Sequence, residues 1–141
     1  MDRRSFMRIG MAGAATGIIA PEFVLADGHG NKLKSPMAGG LFYTKENPGR
    51  WAKKAGPHLP IIEKTAGGVK VVSGHPMKPN KHWIVKHMIL DSDFNFIADY
   101  VFDPTKEKQA ISEFKLSGQK GTIYAISVCN LHDSWVSSIN V

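Results

Sequence analysis

The segment FNFIADYVF, residues 94–102, decides the fold class of this chain. Its side chains Phe94, Phe96, Ala98, Tyr100 and Phe102 are apolar or aromatic and occupy every second position. Because successive side chains of a strand point to opposite faces, this period of two predicts a β-strand with one apolar face. No long helical repeat follows residue 40, so we expect an all-β domain.

Six further runs resemble strands, and Gly, Pro, Asp and Lys residues separate them. They are LPIIEKT (59–65), VKVVSG (69–74), HWIVKHMIL (82–90), AISEFKL (110–116), GTIYAISVC (121–129) and WVSSINV (135–141). About seven short strands with turn signals between them predict an antiparallel β-sandwich. The run DPTKEKQAISEF, residues 103–114, could hold one turn of helix at most.

The chain begins like an exported protein. The basic run RRSFMR (3–8) precedes the short apolar run IGMAGAATGIIA, and Val24 and Ala26 suit a cleavage site after small residues. This layout predicts a twin-arginine signal peptide over residues 1–26, a periplasmic location and no membrane anchor after processing. An amphipathic first helix is the alternative, but the run is too glycine-rich for a stable helix and too short to span a bilayer.

The remaining chain has two parts by composition. Residues 27–50 are rich in Gly, Pro, Lys and Asn and predict an irregular arm, and loops continue to Pro57. Residues 51–141 form the predicted sandwich domain.

The chain of 141 residues has 18 Lys and Arg against 12 Asp and Glu, a net charge of +6. Such a balance suits a small anionic substrate or an acidic protein partner, or simply a solvated basic surface. Export and the scattered lysines argue against nucleic acid.

The segment AISVCNLHDSW (125–135) contains the only cysteine, Cys129, three residues before His132. An unpaired cysteine is unusual outside the cytoplasm. Three more histidines, His58, His75 and His82, lie at strand ends or in loops, where residues of different strands converge. Four imidazoles and one thiolate suit iron or copper and leave one octahedral position for a small substrate. A buried cysteine beside a histidine without any metal is the alternative for this pair.

His87 lies in the middle of the run HWIVKHMIL. Because five residues separate it from His82, a regular strand places the two side chains on opposite faces. We therefore predict that His87 packs in the core or lies at the surface, and that it does not share a metal with His82. His29 falls in the predicted arm.

Three motifs, HLPIIE (58–63), GHPMKPNKHWI (74–84) and YAISVCNLHDSW (124–135), resemble the iron domain of superoxide reductases, the neelaredoxin and desulfoferrodoxin group. The resemblance runs from about Trp51 to the C-terminus. It implies an immunoglobulin-like sandwich and one mononuclear iron, with Cys129 as axial thiolate and an open sixth site. The implied equatorial ligands are His58, His75, His82 and His132. The implied reaction is one-electron reduction of superoxide to hydrogen peroxide. A small exported redox protein would restore the ferrous state, and a homo-oligomer is left open.

Three departures from the family pattern affect the site. His75 and His82 are seven residues apart, where the family usually has six. The Glu-Lys pair that commonly precedes the first histidine is replaced by Gly56 and Pro57, and Lys53 or Lys54 is the candidate substitute that would steer superoxide. The glycine that usually follows the Cys-x-x-His motif is Asp133.

Two other kinds of protein fit part of the pattern. A cupredoxin-like electron carrier is also an exported sandwich with Cys and His near its end, but no Met follows His132 as a weak axial ligand. A non-catalytic metal-binding sandwich is the third reading. A thiol hydrolase fits less well, because Cys129 and His132 lie three apart across a strand end, a poor geometry for proton transfer.

Overall fold

The computed structural model describes residues 32–141, so the predicted signal peptide and His29 lie outside the described residues. Within the described residues, no helix is long and apolar enough to cross a membrane. The described chain contains seven strands after two short helical segments, in agreement with the sandwich prediction. The strands are β1 (Ile61–Thr65), β2 (Gly68–Ser73), β3 (Ile84–Leu90), β4 (Phe96–Val101), β5 (Ala110–Lys115), β6 (Thr122–Cys129) and β7 (Asp133–Asn140).

The strands form two antiparallel sheets, one in the order β1-β2-β5 and one in the order β4-β3-β6-β7. Apolar side chains from both sheets meet in one buried cluster. Its buried members are Val69, Val71, Ile89, Phe114, Ile123 and Ala125. They come from β2 and β5 of one sheet and from β3 and β6 of the other, so the core lies between the two sheets. This is the packing of a β-sandwich.

The single apolar face predicted for residues 94–102 is wrong in detail. Ala98 pairs with Ile89 in β3, but the next pair is Phe96 with Leu90, so Ile97 is an extra residue in β4. A β-bulge of this kind shifts the alternation by one residue. Phe96 consequently leaves the core side and is 60% exposed, whereas Phe102 stays buried.

Residues 49–58 form two helical segments where loops were predicted up to Pro57. A 3₁₀ segment, η1 (Gly49–Lys54), continues directly into the short helix α1 (Ala55–His58). None of the residues in η1 is buried, and this segment carries the chain to the first ligand candidate, His58, at the entry to β1.

The residues before η1 are packed against β7. Tyr43 pairs with Trp135 as an added bridge, with backbone hydrogen bonds from Tyr43 N to Ser134 O (3.0 Å) and from Val136 N to Tyr43 O (2.8 Å). The Tyr43 and Trp135 rings are both buried, with centroids 5.4 Å apart. This part of the chain therefore packs along β7, the strand that follows Cys129 and His132.

Candidate metal centre

Five potential ligand atoms meet at one end of the sandwich, and all lie within 4.8 Å of one another. They belong to His58, His75, His82, Cys129 and His132, the five residues named from the sequence. Among the described residues, the candidates come from four separate places in the chain: α1, the loop after β2, the approach to β3, and the β6–β7 turn.

The alternation of β6 brings Cys129 to this end. Ile123, Ala125 and Ser127 face the core with no exposed surface, and Cys129 continues the same face with 4% exposed. The turn to β7 then places His132 beside it, and Asp133 adopts a positive φ of 60° as the chain enters β7. The Leu131 amide also donates to the Cys129 sulfur across 3.5 Å.

The loop from His75 to His82 is closed by its own backbone. Lys78 and His82 form an antiparallel bridge, with Lys78 N donating to His82 O (2.9 Å) and His82 N to Lys78 O (3.0 Å). Asn80 takes the left-handed conformation at φ 59°, which asparagine tolerates. The residue that lengthens the spacing to seven is absorbed in this turn, and both imidazoles still reach the cluster.

Two of the imidazoles are oriented by backbone carbonyl groups. His58 Nδ1 donates to Lys54 O (2.7 Å), and His75 Nδ1 donates to Pro76 O (2.7 Å). A carbonyl oxygen can only accept, so both Nδ1 atoms carry the proton and each Nε2 keeps a lone pair. Metal-binding histidines are commonly fixed in this way.

The four imidazoles form a ring in the order 58, 132, 82, 75. His132 Nδ1 lies 3.1 Å from His58 Nε2 and 2.9 Å from His82 Nε2, and His82 Nε2 lies 2.9 Å from His75 Nε2. The His75 and His58 ring centroids are 4.4 Å apart, whereas those of His58 and His82, across the ring, are 5.8 Å apart. The Cys129 sulfur is 3.2 Å from His82 Nε2 and 3.7 Å from His132 Nδ1.

These distances fit a single transition-metal ion. With metal–nitrogen bonds of about 2.1 Å, two nitrogens at a right angle lie roughly 3.0 Å apart. The three neighbouring nitrogen pairs given above have this spacing. The lone pairs of His58 and His75 point at the same region, where one cation could accept both, and the mixed nitrogen and thiolate donors suit a metal such as iron or copper.

Burial keeps the imidazoles neutral and ready to bind. It lowers the pKa of His58 and of His75 to about 4, and it lowers the pKa of His82 and His132 as well. Burial raises the pKa of the Cys129 thiol, so a bound cation is what would hold this side chain as a thiolate. His82 and His132 are only partly buried, so the cluster reaches the protein surface.

His87 lies outside the cluster, as predicted, but the reason given from spacing is wrong. Ile84 pairs with Cys129 and Lys86 with Val128, so Val85 is an extra residue and the strand is bulged. The bulge turns His87 to the core side, where it is fully buried. There Ser112 Oγ lies 2.8 Å from His87 Nδ1, and Ser73 Oγ lies 3.0 Å from His87 Nε2.

Near the cluster, Lys54 and Asp133 have different surroundings. Burial is the largest cause of the lowered pKa of His82 and of His132, and the positive charge of Lys54 lowers both pKa values further. Lys53 is the exposed neighbour of Lys54 in η1.

The Asp133 carboxylate accepts hydrogen bonds from Trp51 Nε1 (2.8 Å) and Arg50 (2.6 Å). Sequence reasoning did not assign a role to Arg50 or Trp51, whose partner lies more than eighty residues away.

Known proteins are similar to this chain over most of the described domain. Residues 49–138 match the family model described as Desulfoferrodoxin. Superoxide reductase from Pyrococcus horikoshii is 32% identical over 109 residues, covering 66% of this chain and 92% of that protein. Desulfoferrodoxin from Nitratidesulfovibrio vulgaris is 37% identical over 86 residues, covering 55% of this chain and 59% of that protein.

A solved structure gives the same picture. Superoxide reductase (neelaredoxin) from Ignicoccus hospitalis matches with a TM-score of 0.56 and 28% sequence identity. The match covers 72% of this chain and 94% of that one. The fold and the sequence therefore point to the same group of proteins.

Proposed function

The chain belongs to the desulfoferrodoxin family, and on that premise we propose that it is a superoxide reductase with one mononuclear iron. The reaction adds one electron and two protons to superoxide and gives hydrogen peroxide. The observation that supports it best is the cluster of four imidazole nitrogens and one thiolate sulfur within 4.8 Å of one another. Bound ferrous iron would supply the electron.

The protein's own groups prepare the site. The carbonyl groups of Lys54 and Pro76 hold His58 and His75 with Nε2 toward the cluster. The Cys129 sulfur provides the thiolate donor, and the Leu131 amide aims its hydrogen at that sulfur. Burial among apolar neighbours such as Met77 and Ile84 keeps the Cys129 side of the cluster apolar.

Lys54 is the group that we assign to attracting superoxide. Its ammonium is close enough for its charge to act on His82 and His132, the two partly buried imidazoles. A fixed positive charge beside a surface-reaching site raises the local concentration of a small anion. Lys53, one residue earlier, stays a prediction from the sequence.

We place the protein in the periplasm, exported by the twin-arginine route. The support is the sequence of residues 1–26 alone, with paired arginines before a short apolar run. A small redox protein with an acidic surface would return the electron, because the chain carries a net charge of +6. A homo-oligomer stays a prediction.

A cupredoxin-like carrier is less well supported by the same geometry. Such sites use two histidines and one cysteine with a weak axial ligand. Here four imidazoles converge with the Cys129 sulfur, two more histidines than a site of this kind uses.

The test is the metal and the colour of the purified chain. Prepared without chelators, it should contain about one iron per chain and, when oxidised, show a visible thiolate-to-iron charge-transfer band. Cys129→Ser should remove the band and most superoxide consumption, whereas Ser138→Ala, exposed on β7, should change neither. If Cys129→Ser keeps both the band and the activity, the proposal is wrong. Bound copper with an intense blue colour would favour the carrier instead.

A further inference from the structure

We propose that Asp133 is a positioning residue that holds the segment bearing Trp51, Lys54 and His58 over the metal cluster. The inference rests on the proposed function, since it concerns how the same site is assembled. The residue stands where the resemblance to superoxide reductases leads one to expect glycine. We refer to Asp133, Arg50 and Trp51 together as the Asp133 latch.

The latch is a compact set of contacts. Asp133 Oδ2 accepts from Arg50 (2.6 Å) and from Trp51 Nε1 (2.8 Å), and the Arg50 guanidinium lies over the Trp51 ring, 4.8 Å from its centroid. Arg50 Nε also donates to the Tyr43 hydroxyl (3.1 Å), which in turn donates to Gly40 O. The carboxylate thus ties η1 to β7, and Arg50 ties η1 to the preceding chain.

Besides the latch, close packing of the Gly49 backbone on Gly39 holds this segment, and buried side chains do not. None of the residues in η1 is buried, and its N-cap has no side-chain hydrogen bond. Apolar packing therefore contributes little to its position, and the two hydrogen bonds to Asp133 carry more of that task. The segment nevertheless determines the site, because the Lys54 carbonyl orients His58 and the Lys54 charge faces His82 and His132.

Trp51 links the latch to the ligands directly. Its ring meets the His132 ring edge-on, with centroids 4.6 Å apart and an interplanar angle of 80°. His132 is only partly buried, and the indole covers one side of its imidazole. By holding the indole nitrogen, Asp133 fixes this contact. It acts on the metal through Trp51 and does not have to touch it.

The backbone at Asp133 supports a functional reason for the side chain. Its φ is 60°, in the left-handed region that favours glycine. Here an aspartate occupies the conformation and makes two charge-assisted or polar bonds with it. Glycine suits this backbone conformation, so Asp133→Gly removes the side-chain bonds to Arg50 and Trp51 without straining the backbone. The substitution therefore separates the role of the side chain from that of the left-handed backbone.

The experiment compares full-length chains purified with iron. We expect Asp133→Gly to lose its iron to a chelator at about 10-fold lower chelator concentration, in the range typical of groups that orient ligands. Acrylamide should quench the tryptophan fluorescence of Asp133→Gly more strongly, because the Trp51 ring is released. Asp133→Asn, whose side-chain oxygen can still accept from Trp51, should retain most of the wild-type iron affinity. Asp99→Asn, which breaks the Lys86–Asp99 pair on β3 and β4, is the matched control.

A double-mutant cycle tests whether Asp133 acts through Trp51. In a Trp51→Phe background, Asp133→Gly should lower iron retention by less than it does in the wild-type chain, because only the bond to Arg50 remains to be lost, and it should not change quenching any further. If the two substitutions are additive, or if Asp133→Gly holds iron like the wild type, the positioning role is refuted. These readouts do not use superoxide. Normal latch behaviour in a chain that fails to reduce superoxide would overturn the proposed function and leave the latch standing.

Discussion

His75 and His87 are both buried, and burial lowers the pKa of each to about 4, yet their second ring nitrogens have different partners. His87 has a serine hydroxyl at both nitrogens. Ser73 donates to Ser127 (2.9 Å), so it accepts from His87 Nε2–H, and Ser112 donates to Nδ1. His75 donates from Nδ1 to Pro76 O, and its Nε2 faces His82 Nε2 at 2.9 Å.

The comparison shows which observation identifies a metal ligand in this fold. Burial and a low pKa do not distinguish the two histidines. The partner of the second nitrogen does: a hydroxyl group satisfies His87, whereas the lone pair of His75 converges with those of other imidazoles. His87 is therefore part of the structural core, and His75 belongs to the candidate metal centre.

The largest expected effect is that substitutions at these two positions affect different properties, iron retention at His75 and stability at His87. His75→Ala should weaken iron retention by at least about 100-fold, because a ligand is lost. His87→Ala should leave about one iron per chain but lower the free energy of unfolding by about 2–4 kcal/mol, since it leaves a cavity and deprives Ser73 and Ser112 of their partner. Iron content and urea unfolding measure the two effects.

The result that would break the comparison is equally definite. If His87→Ala loses its iron as readily as His75→Ala while unfolding at the wild-type urea concentration, the serine-bonded histidine is tied to the metal after all. Ser138→Ala serves again as the control for a change at the exposed face of β7.

The fold was largely predictable from the sequence because it rests on alternation within each strand. Each of the seven predicted runs overlaps an observed strand. Alternation failed where a strand is bulged, at Ile97 in β4 and at Val85 in β3. A bulge is set by pairing with the neighbouring strand, which a single run does not reveal. The prediction that His82 and His87 point to opposite faces assumed a regular strand, and the bulge at Val85 makes that assumption wrong.

The candidate site was predictable only in part. The five ligand candidates were found because histidine and cysteine are chemically distinctive and lie at strand ends. The Asp133 latch was not, since arginine, tryptophan and aspartate occur in many surface roles. Its members meet only when η1 folds against the start of β7. The departure from glycine at position 133 was visible, but its partners were not.

The second prediction concerns pH and sharpens the view of His87 as a structural group. Its pKa falls from 6.5 to about 4 on folding, because of burial. Between these values the unfolded chain binds a proton that the folded chain does not, so stability decreases as the pH falls from about 6.5 to about 4. The full effect is about 3 kcal/mol at roughly 1.4 kcal/mol per pH unit.

His87→Gln removes the titration and keeps a donor for Ser73. We expect its free energy of unfolding to fall less than that of the wild type over this pH range, by up to the same ~3 kcal/mol. Urea unfolding at several pH values measures the difference, and any contribution of the metal-binding histidines is common to both proteins. Parallel pH profiles would show that His87 is not the group responsible.

The smallest expected effect is electrostatic and compares the metal end of the sandwich with the far end. Lys54→Met should lower the second-order rate with superoxide by about 3- to 10-fold at low salt, because it removes the charge that faces His82 and His132. The effect should shrink as added salt screens the charge. Lys64→Met makes the same change in net charge at the other end of β1, next to the turn into β2. Stopped-flow rates at several salt concentrations should therefore separate the two variants, and equal losses would mean that net charge, not the placement of Lys54, draws the anion to the protein.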